Sequence, residues 1–277
     1  MTFVMVIILP HLVYTLSTQS IPERPLMHNT PDLAIWLSEP SSAAIEIARL
    51  AGYNTVVLDV EHGTFDLGAL DWVLPLISSN GMKSIVKVLA PERGPIQQAL
   101  DLGAHAVAIP HVESAEHARE ITSFAKFAPL GNRSFAGGRT SNYRGFSDDW
   151  VKEQDTLTQC FPMIEDASAA DEIEGILALD TVDGVFIGPS DLSLLRGRGA
   201  YTASEDDLAD IRQIARAAQQ VGKTWVLPAW SDGEKKLAAQ EGAGTIITTM
   251  QYGALLQGFT AAAETAAAII EQFGEPA

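Results

Sequence analysis

Short runs of apolar residues alternate with longer amphipathic stretches from Pro31 to the end of the chain. Several runs are apolar at every position, as strands covered on both faces of a parallel sheet are. Strands that alternate with helices in this way form parallel sheets, and eight of them are enough to close a barrel. The pattern therefore predicts a (β/α)8 TIM barrel. The eight predicted strands cover residues 33–37, 55–59, 84–88, 106–110, 159–164, 184–187, 224–227 and 244–249.

The stretches between the strands have the apolar spacing of amphipathic helices. The predicted helices cover residues 42–50, 67–79, 95–102, 115–124, 169–179, 205–221, 233–240 and 252–273. Several helix ends are followed by a glycine, the residue that most readily adopts the left-handed conformation of a helix C-cap. These glycines are Gly52, Gly81, Gly103, Gly222 and Gly242.

One segment, residues 129–158, breaks this rhythm and is rich in Gly, Ser, Asn and Arg. Long loops that follow barrel strands are often functional, so we interpret this segment as a lid or rim at the mouth of the barrel. No linker or low-complexity tract divides the rest of the chain. We therefore expect one barrel domain, residues 31–277, preceded by an N-terminal extension, residues 1–30.

Composition narrows the classes of partner. The 277 residues include 47% hydrophobic and 19% charged residues, which suits a folded domain with a large core. A formal charge of −17 repels nucleic acids and anionic membranes, so neither is an expected partner. Cys160 is the single cysteine, which excludes an intrachain disulfide and a thiolate zinc cluster.

Residues 3–16 are strongly apolar, but they are too short to span a bilayer, contain Pro10 and lack a preceding basic residue. We therefore expect a cytoplasmic protein. Export through this segment is the alternative, and a packing arm on an oligomer or an upstream start codon would also account for it.

Polar residues follow predicted strands at the end where TIM-barrel active sites lie. Glu165 follows the fifth strand, and Ser190 and Asp191 follow the sixth. Two carboxylates at neighbouring strand ends suit a divalent metal, Mg²⁺ or Mn²⁺, that keeps open positions for substrate. The turn through Ser190 and Asp191 into a helix could receive the carboxylate of a 2-oxo acid. Helix capping by either residue is the alternative.

A histidine also follows a predicted strand. His62 comes shortly after the second strand, and a neutral imidazole there can act as a general base when a carboxylate orients it. Asp59 is the nearest candidate for that carboxylate in sequence. The alternative is a structural histidine bonded to its own loop. His105, His111 and His117 lie around the fourth predicted strand and helix without metal-ligand spacing, so we interpret them as ordinary residues.

The motifs together resemble the HpcH/HpaI aldolase family of metal-dependent class II pyruvate aldolases, from about residue 33 to the C-terminus. The resemblance implies that Glu165 and Asp191 bind the metal, that His62 is the base and that Ser190 with Asp191 contacts the oxo acid. It also implies that Asp101 raises the basicity of the histidine. The matching motifs are residues 59–63 (Asp-Val-Glu-His-Gly), 100–104 (Leu-Asp-Leu-Gly-Ala), 109–110 (Ile-Pro), 131–133 (Gly-Asn-Arg), 164–165 (Ile-Glu) and 183–193 (Asp-Gly-Val-Phe-Ile-Gly-Pro-Ser-Asp-Leu-Ser).

This chain departs from the family pattern at two positions. Lys87 stands where the family has an arginine, so one compact charge replaces a bidentate fork near the developing enolate. Met163 stands where the family has a substrate-contacting glutamine, and a thioether cannot donate that hydrogen bond. Arg93 follows Lys87 in sequence and could supply a fork from another direction, although a solvated arginine is the simpler interpretation.

The expected reaction is reversible aldol cleavage of a 4-hydroxy-2-oxo acid to pyruvate, or a related 2-oxo acid, and an aldehyde. Oxaloacetate decarboxylation, or enolate chemistry like that of macrophomate synthase, is the alternative because it needs no hydroxyl base. A barrel that binds a 2-oxo acid without turnover is a third possibility. The resemblance also implies a ring-like homo-oligomer, a trimer or hexamer, with an exchanged C-terminal helix.

Overall fold

Eight parallel strands close into a barrel in the computed structural model, which describes residues 30–273. Each strand pairs with the next along the chain, and β8 pairs with β1. The strands are β1 Asp32–Leu37, β2 Thr55–Asp59, β3 Lys83–Lys87, β4 Ala106–Ile109, β5 Gln159–Ile164, β6 Gly184–Ile187, β7 Thr224–Pro228 and β8 Thr245–Met250. The predicted TIM barrel is confirmed, and every predicted strand lies within about one residue of an observed strand at each end.

Helices surround the barrel between successive strands. The predicted helix over residues 169–179 is instead two short helices that meet at Glu172. The helices are α1 Ser42–Leu50, α2 Leu67–Ser79, α3 Arg93–Asp101, α4 Ala115–Thr122, α5 Asp148–Leu157, α6 Ala167–Asp171, α7 Ile173–Leu177, α8 Pro189–Leu195, α9 Glu205–Gln220, α10 Asp232–Gln240 and α11 Gln251–Phe273, with 3-10 turns at Ser123–Ala125 and Arg139–Ser141.

Residues from Pro31 onward form one compact unit. The apolar core has two layers because strand side chains alternate between the barrel interior and the helices. The larger layer lies between strands and helices, and the smaller one fills the barrel with side chains such as Trp36, Met163 and Phe186. The expected N-terminal extension, residues 1–30, lies outside the described residues except for Thr30, and its role stays a prediction.

The structure corrects the interpretation of residues 129–158. They connect α4 to β5, so they lie at the amino-terminal end of the barrel strands and not at the mouth. The segment contains α5 and is held together by an aromatic cluster in which the Phe135 ring lies 4.0 Å from that of Phe146 and 5.6 Å from that of Trp150. It cannot act as a lid over the carboxyl ends of its own strands.

The C-terminal helix α11 is exposed along almost its whole length. Gln251 is its one buried residue, and it anchors the helix by accepting hydrogen bonds from the backbone N–H groups of Ser38 and Glu39, both at 3.2 Å. Leu256, Phe259 and the other apolar side chains along it lie open. By length and composition alone, with a hydropathy of 1.3, α11 could cross a membrane. One such helix is weak support for a membrane protein.

Candidate active site

A cavity of about 230 Å³ opens at the carboxyl ends of the strands. Its polar lining comes from separate parts of the chain: Asp59 ends β2, Lys87 ends β3, Glu165 follows β5, and Ser190 with Asp191 lies in the first turn of α8. The closure of the barrel brings these strand ends to one mouth. Apart from His62, the polar residues that the sequence analysis singled out at strand ends therefore line a single cavity.

Glu165 is the most deeply buried carboxylate of the cavity, with a relative exposure of 3%. Its Oε1 accepts a hydrogen bond from the backbone N–H of His111 at 2.7 Å. Burial raises the pKa of Glu165, and the Asp191 carboxylate raises it further, while the His111 N–H and the Lys87 charge act in the opposite direction. The net shift is upward, so the protein holds this carboxylate in a setting that disfavours its negative charge.

Glu165 is also packed closely against the turn after β6. A Cβ added to Gly188 would lie 2.6 Å from the Glu165 Cβ and 2.8 Å from its Oε2. Real Cβ atoms essentially never approach this closely, so only glycine leaves room for the carboxylate. The glycine before Ser190 and Asp191 therefore has a steric role in the site.

The donor set of Glu165 and Asp191 fits a divalent cation. Asp191 is exposed towards the cavity, and a nearby cation would offset the raised pKa of Glu165. Among residues 30–273, no three His, Cys, Asp or Glu side chains converge as a metal-binding group. Two carboxylates would suit Mg²⁺ or Mn²⁺, ions that take water or substrate oxygens as further ligands.

Lys87 lies inside the mouth of the barrel with 5% of its side chain exposed. Its Nζ is 2.6 Å from Oε2 of Glu61, and it lies 5.7 Å from the centre of the Trp36 ring. Burial alone would raise the pKa of Glu61, but the hydrogen bond and charge of Lys87 outweigh it and hold that pKa below its usual value. Lys87 and Glu61 thus form a buried ion pair beside Glu165.

Sequence reasoning missed His111 and Glu61. His111 has a φ of 56°, unusual for a residue with a Cβ, and its Nε2 lies 2.5 Å from Oε1 of Glu61. It therefore contacts Glu61 through its ring and Glu165 through its backbone. The expectation that His111 is an ordinary residue is corrected, because both its ring and its backbone contact carboxylates at the site. Glu61 was visible beside His62 in the motif, whereas nothing in the spacing of His111 marks it.

His62 lies at the rim, with 64% of its side chain exposed. The expectation that Asp59 orients its imidazole needs correction. One Asp59 oxygen accepts the indole N–H of Trp36 at 3.2 Å, and the other accepts the backbone N–H of His62 at 3.1 Å. The carboxylate near the His62 ring is Glu61, at 3.4 Å. Asp59 therefore shapes the loop and holds Trp36.

The described geometry agrees with a match to a known family, whose model, HpcH/HpaI aldolase/citrate lyase, covers residues 33–247. The chain belongs to this family. A hydroxypyruvate/pyruvate aldolase from Roseobacter denitrificans is 31% identical over 223 residues, covering 80% of this chain and 87% of the relative. A 2-keto-3-deoxy-L-rhamnonate aldolase from Klebsiella pneumoniae is 31% identical over 202 residues, covering 73% and 76%.

A solved structure gives the same assignment. The HpcH/HpaI aldolase from Desulfitobacterium hafniense superimposes with a TM-score of 0.79 at 26% identity, covering 86% of this chain and 93% of that one. The barrel and the aldolase/lyase family of this chain are therefore established together.

In this member of the HpcH/HpaI family, Asp101 does not meet His62 within one chain. Asp101 is the last residue of α3, at the amino-terminal end of the barrel, and its Oδ1 accepts a hydrogen bond from Arg133 Nη2 at 2.7 Å. Arg93, which starts α3, donates to the Asn132 carbonyl at 2.6 Å, away from the cavity. The structure therefore does not assemble the expected acid–histidine pair inside one chain, and it does not bring Arg93 to the site.

Met163 and Ser190 both line the cavity of this chain. Met163 is 2% exposed and belongs to the packed barrel interior, so its thioether forms part of the floor. Ser190 is exposed beside Asp191 in the first turn of α8.

Proposed function

We propose that this protein is a metal-dependent carbon–carbon lyase that reversibly cleaves a 4-hydroxy-2-oxo acid to pyruvate, or a related 2-oxo acid, and an aldehyde. The observation that carries the proposal is one cavity that contains Glu165, Asp191 and the buried Lys87 at the carboxyl ends of the strands. The relatives are aldolases of keto acids, which supports the same class of reaction for this chain.

Glu165 and Asp191 would hold Mg²⁺ or Mn²⁺, which supplies Lewis-acid polarisation of a carbonyl group when bound. Ser190 faces the cavity beside them and would contact the oxo acid. Lys87 places a positive charge in a buried site where the enolate charge develops, which is where a fixed charge lowers the barrier most. Glu61 holds the Lys87 ammonium in that position.

His62 takes the proton of the C4 hydroxyl in this mechanism. The C3–C4 bond then breaks, its electrons form the enolate of the 2-oxo acid, and C4 leaves as the aldehyde carbonyl. Protonation of the enolate at C3 gives pyruvate. In the reverse direction the enolate C3 attacks the aldehyde, and the same proton returns to the new hydroxyl oxygen.

We further propose that the working unit is a homo-oligomer, a trimer or hexamer. Asp101 and His62 lie at opposite ends of one barrel, so Asp101 could only act on the His62 of a second copy. The open apolar side chains of α11 offer a surface for such a copy. Mixing inactive His62→Ala and Asp101→Ala chains should then restore part of the activity, because some sites receive both intact residues. No recovery after refolding the mixture would contradict this arrangement.

Decarboxylation of oxaloacetate is a second candidate, favoured by one observation. His62 stands at the rim and not in the cavity lining, and loss of CO₂ to the same enolate needs no hydroxyl base. Product analysis with oxaloacetate and a 4-hydroxy-2-oxo acid separates the two activities. A barrel that binds without turnover would convert neither. A cytoplasmic location and the absence of nucleic-acid and membrane partners stay predictions.

The test of the proposed function combines metal removal with two variants. Chelation should abolish cleavage, and Mg²⁺ or Mn²⁺ should restore it. Glu165→Ala should lose metal binding in calorimetry together with activity, whereas Glu46→Ala removes an exposed carboxylate of α1 and should change neither. Full activity after exhaustive chelation, or a Schiff base trapped on Lys87 by borohydride, would exclude the metal mechanism.

A further inference from the structure

The cavity has two sides of different chemistry. Its ionisable side chains come from β2, β3 and the turns after β5 and β6, as described above. The strands β7, β8 and β1 are neighbours because the barrel closes between β8 and β1, and they supply a continuous apolar side. This side, hereafter the apolar wall, consists of Trp36, Pro228, Trp230 and Met250.

The apolar wall has little capacity for hydrogen bonding. The indole N–H of Trp36 is already donated to Asp59, so Trp36 presents a ring surface, which Phe186 supports edge-on at a centroid distance of 6.0 Å. Proline and methionine side chains have no donor. The indole N–H of Trp230 is therefore the one donor that the wall can offer. Trp230 and Met250 are 39% and 38% exposed, so their side chains are open to contact with a ligand in the cavity.

The backbone of Trp230 is held in place by hydrogen bonds, chief among them one to the buried carboxylate of Glu234. Oε2 of Glu234 accepts the backbone N–H of Trp230 at 3.1 Å, and Oε1 accepts the hydroxyl of Tyr201 at 2.7 Å. Lys235 Nζ donates to the Trp230 carbonyl at 3.2 Å. Burial raises the pKa of Tyr201, and the Glu234 carboxylate raises it further, so the phenol stays a hydrogen-bond donor. The loop after β7 is thus fixed with Trp230 at the mouth.

We propose that the apolar wall is the subsite for the aldehyde half of the substrate, and that this aldehyde carries an aryl or extended alkyl group and not a chain of hydroxyls. The proposal rests on the proposed function, in which the charged side holds the 2-oxo acid. The enolate C3 then bonds to an aldehyde carbon whose substituent lies on the wall. Apolar groups gain by leaving water there, whereas hydroxyl groups would lose hydrogen bonds that the wall does not replace.

The experiment compares kcat/KM for the addition of pyruvate to benzaldehyde and to glycolaldehyde. We expect the wild type to favour benzaldehyde by at least ~10-fold, the scale on which an apolar pocket discriminates between substituents. Trp230→Ala should reduce that ratio ~10-fold or more, mainly through the KM for benzaldehyde. Trp230→Phe should restore most of it. The matched control is Trp72→Ala, which removes an exposed tryptophan from α2, outside the cavity, and should leave the ratio unchanged.

Tyr201 is a positioning residue in this proposal, because it acts on Trp230 through Glu234. Tyr201→Phe removes the hydroxyl that donates to Glu234 and keeps the ring. It should raise the KM for benzaldehyde several-fold and leave the KM for pyruvate unchanged. A role limited to general stability would instead lower the melting temperature and leave the selectivity between the two aldehydes as it is, which would overturn the positioning role.

A separate measurement distinguishes the subsite from the function on which it rests. Exchange of the pyruvate methyl protons in D₂O, followed by NMR, reports enolate formation without any aldehyde. If the wild type exchanges these protons but prefers glycolaldehyde, or if Trp230→Ala and Trp230→Phe both keep the wild-type ratio, the apolar subsite is overturned and the aldolase proposal stands. Absence of both exchange and aldol products would overturn the proposed function, and the subsite with it.

Discussion

Substitution of Gly188 by alanine probes the proposed metal-binding pair, Glu165 and Asp191, without removing either carboxylate. The backbone of Gly188, with a φ of −104°, is open to any residue, so the effect of the substitution is steric. The new Cβ would lie 2.6 Å from the Glu165 Cβ, where ordinary contacts begin at 3.4 Å, a shortfall of about 0.8 Å. The atom in the way is the Cβ of the buried Glu165, which is fixed to the backbone and cannot turn aside. Either Glu165 or the turn after β6 therefore has to move.

The magnitude follows from that shortfall. Overpacking of a well-filled site typically costs about 1–3 kcal/mol, which for a domain of this size lowers the melting temperature by several degrees. A displacement approaching 1 Å at a reacting centre can lower the rate about 100-fold. We therefore expect Gly188→Ala to be folded and moderately destabilised, with weaker Mn²⁺ binding and a kcat lower by about two orders of magnitude.

The assays are thermal unfolding, calorimetric titration with Mn²⁺ and steady-state kinetics. The matched control is Gly94→Ala in the first turn of α3, where nothing lies within 4 Å of an added Cβ. That variant should be as stable as the wild type or slightly more stable, because alanine lowers the entropy of the unfolded chain. Wild-type Mn²⁺ affinity and kcat in Gly188→Ala would refute the reasoning, since Glu165 would then tolerate the displacement or have no part in metal binding.

Three further predictions address other parts of the molecule. Lys87→Ala should lower kcat about 100-fold in steady-state assays and reduce the free energy of unfolding by about 3 kcal/mol, since it leaves the buried Glu61 carboxylate without its lysine partner. Adding Glu61→Gln should recover the stability in urea titrations but not the rate, and an unchanged kcat in Lys87→Ala would remove this lysine from the mechanism. Burial and the Lys83 charge hold the pKa of His105 below its usual value, so its contribution to stability is present above about pH 6.5 and is lost as the pH falls through the folded-state pKa. Denaturant titrations at pH 7.5 and pH 5 should therefore show a smaller loss of unfolding free energy at the lower pH in His105→Gln than in the wild type, and equal losses would contradict this. Burial raises the pKa of the Cys160 thiol, so it should resist thiol reagents at pH 8 until the protein is unfolded, and rapid labelling of the native protein would be inconsistent with the buried position.

Local patterns in the sequence were sufficient for the barrel. Apolar strands buried on both faces and helices of regular spacing predicted every strand, because the alternation is a property of consecutive residues. The glycines expected beyond helix ends, such as Gly52 and Gly103, have φ values of 92° and 102°, as a left-handed cap requires. The sequence also showed that residues 129–158 interrupt the alternation, but it did not show at which end of the barrel they lie. Whether a long segment follows a strand or a helix decides at which end of the barrel it lies.

The chemistry of the site was predictable where it depends on strand ends. Glu165 and Asp191 follow adjacent strands, so closure of the barrel had to bring them to one mouth. Lys87 was recognised by its position in the family pattern, and the structure then showed its buried pairing with Glu61. The choice of Asp59 as the partner of the His62 ring failed, since sequence proximity does not determine which way a carboxylate points in a tight loop.

The sequence by itself determined the barrel, its family and the strand-end residues that share the mouth, because each depends on local pattern or on a motif of consecutive residues. The tertiary structure decided the contacts between distant segments. His111 reaches Glu61 and Glu165 through a left-handed backbone, and Asp101 is turned to the far end of the barrel with Arg133. These contacts join segments about 30 to 55 residues apart, and their geometry depends on how the closed barrel orients each side chain, which no periodicity in the chain encodes.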